Sequence, residues 1–121
     1  MMRSGAFGLA LLGFAAFAAA PAVAETIQIK VADMAFTPAR VSAHVGDTIE
    51  WVNSDFVAHT ATSRNKMGRN KMGRDKAGGD KEWDVTIPAN RRGQVTLEHP
   101  GAIDYYCRFH PNMVGQISVT R

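Results

Sequence analysis

The chain lacks the cysteines that crosslink many small domains, because Cys107 is its only cysteine. One cysteine excludes an intrachain disulfide, so stability has to come from a packed core or a bound metal. Beyond residue 24 there is no long apolar run, and no membrane span is expected in that part of the chain. No window keeps a period of 3.6 residues, so the pattern does not predict helices.

The N-terminal segment, 1–24, has the layout of an export signal. Arg3 precedes an apolar stretch over residues 6–20, and the small residues of Ala22-Val23-Ala24 follow it. This pattern predicts a secretory signal that is cleaved after Ala24. The alternative is a retained membrane anchor, for which the stretch is short. We expect a single mature domain over 25–121, exported to the periplasm and soluble there.

The positive charge is concentrated in one unusual insertion at about 64–81, which carries seven basic and two acidic residues. The unit NKMGR occurs twice there, over 65–69 and 70–74. Its glycines and charges cannot build a core, so we expect a flexible surface loop. Met67 and Met72 offer soft thioethers to Cu(I), and the charge could dock an acidic partner, but a neutral expansion is the favoured interpretation. Basic residues confined to one loop do not indicate nucleic-acid binding.

The remainder of the chain reads as short strands. In TIQIKVA, strict alternation places Ile27, Ile29 and Val31 on one face. Further runs rich in β-branched and aromatic residues are TIEWVN, VAHTAT, WDVTI, GQVTLE, IDYYC and GQISVT. Turn-forming residues such as Gly46-Asp47 and Pro100-Gly101 separate them. Seven or eight such strands predict an all-β fold, a two-sheet sandwich with Greek-key connections.

The stretch CRFHPNM places three soft or borderline metal ligands within seven residues: Cys107, His110 and Met113. A thiolate binds strongly, an imidazole is borderline, and a thioether is weak and soft. Two histidines, one cysteine and a distant methionine form the ligand set of blue-copper sites. The motif therefore predicts a copper centre that lacks one imidazole.

Three histidines could supply that imidazole. His99 precedes the strand whose far end carries Cys107, so it is expected at the other end of the sandwich. His44 lies before the TIEWVN strand and His59 lies after it, so these two are expected at opposite ends. We predict His59 as the fourth ligand, on the condition that neighbouring strands bring it to the Cys107 end.

Other chemistries fit the residues less well. Structural zinc requires four strong ligands, and c-type haem requires a second cysteine. A cysteine nucleophile requires a base and a cleft, and Ser54 and Asp55 near His59 do not form a triad by proximity in sequence alone. We therefore do not expect an enzyme. A metal-free binding sandwich remains a further alternative.

Three segments together resemble the small cupredoxins: VADMAFTPARVSAHVGD, GDTIEWVNSDFVAHT and DYYCRFHPNMVGQISV. The two-residue gaps on each side of His110 are similar to those of amicyanin, whereas plastocyanin has longer loops there. The resemblance spans nearly all of 25–121. It implies one type 1 copper ion, with Cys107, His59 and His110 as strong ligands and Met113 as the weak axial ligand.

The resemblance also implies a function: a monomer that carries single electrons through Cu(II)/Cu(I) between redox proteins, from a donor dehydrogenase or cytochrome to an acceptor cytochrome or oxidase. The alternative is a periplasmic copper carrier or metallochaperone. His110 is expected to reach the surface as the electron's exit. The residues expected around it for partner docking are Phe109, Pro111, Met34 and Phe56, with Arg108 at the rim. Thr60 departs from the family, which often has Asn at that position to tie the ligand loops together.

Overall fold

The computed structural model describes residues 23–64 and 83–121, together with Gly8 and Gly13. The predicted signal segment and the NKMGR insertion, with Met67 and Met72, lie almost entirely outside the described residues. Nine strands occur in the described part of the chain. They are β1 (Thr26–Ala32), β2 (Ala35–Thr37), β3 (Arg40–His44), β4 (Thr48–Asn53), β5 (His59–Arg64), β6 (Asp84–Ile87), β7 (Arg92–Thr96), β8 (Gly101–Tyr106) and β9 (Val114–Thr120).

The strands form two sheets, ordered β2-β1-β4-β7 and β3-β9-β8-β5-β6. Both sheets are mixed, because β1 pairs with β4 and β3 pairs with β9 in parallel, whereas the other pairs are antiparallel. The chain changes sheets repeatedly, as it does from β2 to β3 and from β4 to β5. The predicted all-β sandwich is confirmed. No helix long and apolar enough to cross a membrane occurs among the residues the structure describes.

Alternating side chains build the core between the sheets. Ile29 and Val31 are fully buried in β1 and Ile27 is partly buried on the same face, as the alternation predicts. Trp51 of one sheet meets Tyr105 of the other edge-on, with ring centroids 5.5 Å apart. Aromatic contact of this kind adds to the burial of apolar area. The sandwich therefore provides a rigid frame for the loops at its ends.

The sequence did not predict β2 and β3. β2 has three residues and β3 reads RVSAH, which alternates weakly and has a polar side chain at each end. Strands this short are stabilised by hydrogen bonds to longer neighbours: β2 pairs with β1, and β3 pairs with β9. A local pattern cannot show such long-range pairing.

Strand register decides which loops meet. β5 and β8 are antiparallel neighbours that pair Thr62 with Tyr106, so the start of β5 lies beside the residues that follow β8. This arrangement brings His59 to the Cys107 end of the sandwich. β3 runs parallel to β9 and pairs His44 with Thr120, at the end of β9 remote from Cys107.

Candidate metal centre

The structure brings together the three strongest predicted donors. Cys107 and His59 are fully buried, and the Cys107 Sγ lies 3.8 Å from His59 Nδ1. The imidazole of His110 meets that of His59 edge-on, with ring centroids 5.2 Å apart. His110 is half-buried, so it joins the buried pair to the surface. His99 precedes β8 and Cys107 follows it, so that histidine lies at the remote end, as expected.

The spacing of the two buried donor atoms suits one small metal ion. Bonds of about 2.3 Å to sulfur and 2.0 Å to nitrogen place two ligands of a trigonal centre about 3.7 Å apart. The observed 3.8 Å between Cys107 Sγ and His59 Nδ1 agrees with that value. Among the described residues no group of three or more His, Cys, Asp or Glu meets the spacing of a ready-made metal cluster. Cys107, His59 and His110 lie close together but do not meet that spacing as a set of three.

A carboxylate orients the buried imidazole. His59 Nε2 lies 2.8 Å from Asp55 Oδ2. An ionised carboxylate only accepts, so Nε2 carries the proton and Nδ1 presents its lone pair toward Cys107. Burial acts to raise the pKa of Asp55, but the hydrogen bond from His59 and those from the backbone N–H groups of Asp33 and Met34 together hold it below its ordinary value. Asp55 therefore remains an anion that fixes the tautomer of His59.

The loop from Cys107 to Met113 is closed by its own backbone. The Cys107 N–H donates to the Met113 carbonyl at 3.0 Å, and the Met113 N–H donates to the His110 carbonyl at 2.8 Å. A longer bond of 3.3 Å joins the His110 N–H to the Cys107 carbonyl. Met113 is buried, with 3% of its surface exposed. The loop thus holds three predicted donors in one compact turn.

Thr60 ties together the two loops that carry the predicted ligands. Its backbone N–H donates to Cys107 Sγ at 3.3 Å, and its Oγ1 accepts from the backbone N–H of Arg108 at 2.9 Å. A buried hydroxyl therefore performs the bridging that the sequence left open.

The four apolar residues predicted to surround His110 are all exposed. We call them the His110 rim: Met34, Phe56, Phe109 and Pro111. Phe56 has 92% of its surface exposed, an extreme value for a phenylalanine. Val57 is also exposed, and its sequence context gave no signal of this. Phe56, Phe109 and Pro111 lie close to His59 or His110 in sequence, and the backbone N–H of Met34 donates to the Asp55 carboxylate that binds His59.

Arg108, predicted as charge at the rim, is paired. Its guanidinium binds Asp84 through two nitrogens, at 3.1 and 3.0 Å, and lies over the Phe109 ring with 5.5 Å to the centroid. Sequence reasoning missed the positioning groups Asp55 and Asp84. Asp55 lies four residues before a candidate ligand, which is a usable signal, but Asp84 becomes a neighbour only through strand pairing.

The fold and the donor set together define a small metal-binding β-sandwich of the cupredoxin class. Residues 23–120 match the family model of copper binding proteins, plastocyanin/azurin family. The chain belongs to this family. This confirms the predicted class and its copper cofactor, and it makes the protein one of the small copper proteins of electron transfer.

Similar proteins agree with this assignment. The chain is 32% identical to Amicyanin-alpha of Methylorubrum extorquens, over 98% of this chain and 99% of that protein. Among solved structures, a Cu(I) form of an amicyanin variant superposes with a TM-score of 0.62 at 21% identity, covering 78% of this chain and 81% of the other. An oxidized amicyanin variant gives 0.61 at 24% identity with the same coverage. At these identities the structural likeness shows the fold alone.

Proposed function

We propose that this protein carries single electrons between redox partners, with one copper ion held by Cys107, His59, His110 and Met113. The observation that carries the proposal is the buried approach of Cys107 Sγ to His59 Nδ1, 3.8 Å apart, beside the half-buried His110. Copper supplies the one-electron change between Cu(II) and Cu(I). The Cys107 thiolate and the two imidazoles would be strong ligands for it, and the Met113 thioether would be a weak one.

The surroundings of the donors favour electron transfer because they restrict movement. Asp55 fixes His59, Thr60 fixes Cys107, and three backbone hydrogen bonds close the ligand loop. Ligands held in this way move little between the two oxidation states. A small rearrangement gives a small barrier to transfer.

His110 is the proposed exit for the electron, because it joins the buried donors to the His110 rim. An exposed apolar rim suits the brief, small contacts of electron-transfer partners. A donor dehydrogenase or cytochrome and an acceptor cytochrome or oxidase are the proposed partners, with the protein acting as a monomer and not as an enzyme.

We also propose that the mature protein is residues 25–121, exported to the periplasm after cleavage behind Ala24. Support comes from the start of the folded domain. β1 begins at Thr26, and the Glu25 N–H donates to the Asp47 carboxylate at 2.9 Å. Residues before Glu25 form no strand in the described part of the chain.

The proposed site is tested by the colour of the copper-loaded protein. With Cu(II) the wild type is expected to be intensely blue, and Cys107→Ser to be colourless. His99→Ala is the matched control, because it removes a histidine at the remote end, and its blue colour should persist. A colourless wild type that binds Cu(I) tightly and donates it to an apo-enzyme would instead identify a copper carrier.

A further inference from the structure

Four residues beside the candidate metal centre form a closed ring of hydrogen bonds. Thr60 Oγ1 lies 3.0 Å from Thr62 Oγ1, and Thr62 Oγ1 lies 2.7 Å from Asp84 Oδ1. Asp84 in turn accepts from the Arg108 guanidinium, and the Arg108 backbone N–H donates to Thr60 Oγ1. We call these four residues the Thr60 ring.

The chemistry of its members sets the direction of every bond in the Thr60 ring. A carboxylate only accepts, so the Thr62 hydroxyl donates to Asp84. Because Thr62 uses its one hydroxyl proton in that bond, it can only accept from Thr60. The Thr60 hydroxyl therefore donates to Thr62. Thr60 therefore receives the Arg108 N–H on a lone pair, which matches the observed 2.9 Å. Bonds aligned in one direction polarise and strengthen one another.

The ring joins a surface ion pair to a buried position. The side chains of Arg108 and Asp84 are 43% and 50% exposed, whereas Thr60 is fully buried. An isolated ion pair at such exposure adds little to stability. Here the pair orders the backbone on both sides of Cys107 Sγ, since Arg108 follows that cysteine and the Thr60 N–H donates to its sulfur.

The ionisation of Asp84 agrees with this role. Hydrogen bonds from Thr62 and from Arg108 hold the pKa of Asp84 below its ordinary value, against the opposing effect of burial. The carboxylate therefore remains charged at neutral pH, as the directed ring requires.

We propose that Thr62, Asp84 and Arg108 are positioning residues that fix the Thr60 N–H on the Cys107 sulfur and so set the reduction equilibrium of the centre. The proposal rests on the function proposed above, in which Cys107 is a copper ligand. A hydrogen bond to a thiolate stabilises the form with more charge on sulfur, which is the reduced one. Loosening the ring should therefore favour Cu(II).

The test compares Thr62→Val, which keeps the shape and removes the hydroxyl, with Thr62→Ser, which restores it. Thr96→Val is the control, because Thr96 is an exposed strand threonine whose hydroxyl lies 3.3 Å from that of Thr48, and both lie in the sheet that does not contain Thr62. A hydrogen bond to a charged group is worth at least a tenfold change in an equilibrium. We therefore expect Thr62→Val to shift the Cu(II)/Cu(I) equilibrium toward Cu(II) by about tenfold, which is 59 mV for one electron.

A second measurement uses the copper-free protein. Amide hydrogen exchange at Thr60 should accelerate about tenfold in Thr62→Val and return in Thr62→Ser, with no change in Thr96→Val. Equal shifts in Thr62→Val and Thr96→Val, or no recovery in Thr62→Ser, would overturn the proposal. If the wild type with copper is not blue, the proposed function fails, whereas the amide exchange still decides whether the ring positions Thr60.

Discussion

Asp55 Oδ2 accepts a hydrogen bond from His59 Nε2 at 2.8 Å, and the same carboxylate accepts the backbone N–H groups of Asp33 and Met34. Asp33 and Met34 both have a positive φ, 52° and 60°. Residues other than glycine seldom adopt this conformation without local support. One side chain thus holds a buried imidazole and the turn that presents Met34 to the surface.

Replacing Asp55 with Asn should therefore weaken copper binding. The amide keeps the shape but loses the charge and one accepting oxygen, so the orientation and basicity of His59 are less well fixed. Losses of this kind cost about 10–100-fold in metal affinity, and we expect about tenfold here. Competition with a Cu(I) chelator measures the affinity.

The matched control is Glu98→Gln, which makes the same change in charge at an exposed position beside His99, at the remote end of the sandwich. Its affinity should equal that of the wild type. An Asp55→Asn protein with unchanged affinity would show that the carboxylate does not support His59.

The sequence predicted the ligand motif and the sandwich because both depend on local pattern. Alternation in β1 and the spacing of Cys107, His110 and Met113 are visible within short windows. The pairing of β5 with β8 brings His59 to Cys107. The sequence could predict that contact only on the condition that neighbouring strands bring the two residues to the same end. Asp84 shows the limit: it reaches Thr62 and Arg108 through strand register, across 22 and 24 residues, which no short window contains.

Stability at acid pH should depend on Asp47 at the remote end. The backbone N–H groups of Glu25 and then His44 donate to its carboxylate, and they lower the pKa of Asp47 despite opposing burial. A carboxyl with a lowered folded pKa stabilises the protein above its unfolded pKa, about 3.8. That contribution is lost as the pH falls through the lower, folded value.

Asp47→Asn should remove this contribution at neutral pH. The loss of hydrogen bonds to a charged acceptor costs about 2 kcal/mol in the free energy of unfolding. Urea unfolding of the copper-free proteins between pH 7 and pH 3 checks the prediction. The two proteins should differ most at neutral pH, and the difference should shrink as the pH falls below about 3.8, whereas a constant difference would contradict the proposed cause.

Gly115 should not tolerate a side chain. It pairs with Tyr105 across β8 and β9, and a methyl group there would collide with the phenol ring. Tyr105 is 1% exposed and packs against Trp51, so the ring has little room to move. Gly115→Ala is expected to cost about 1–3 kcal/mol in the free energy of unfolding, the usual penalty for overpacking a core.

Ser118→Thr is the comparison for that change, since it adds one methyl group to the solvent face of the same strand. Its unfolding midpoint in urea should remain close to that of the wild type. A normal midpoint for Gly115→Ala would mean that the sheet adjusts to accommodate the methyl group.

Phe56 should control association and leave folding unchanged, because 92% of its surface is exposed on the His110 rim. If electrons leave through His110, two copies that exchange an electron must bring their rims together. Phe56→Asp places like charges opposite one another in that encounter and removes apolar contact. We expect the self-exchange rate between the Cu(I) and Cu(II) forms to fall about tenfold.

Line broadening in NMR spectra of samples that contain both the Cu(I) and the Cu(II) form measures this rate. Val45→Asp is the control, since Val45 is 39% exposed and follows β3 at the end of the sandwich remote from Cys107, outside the rim. A similar decrease in both variants would show that net charge controls the rate and that contact through the His110 rim does not.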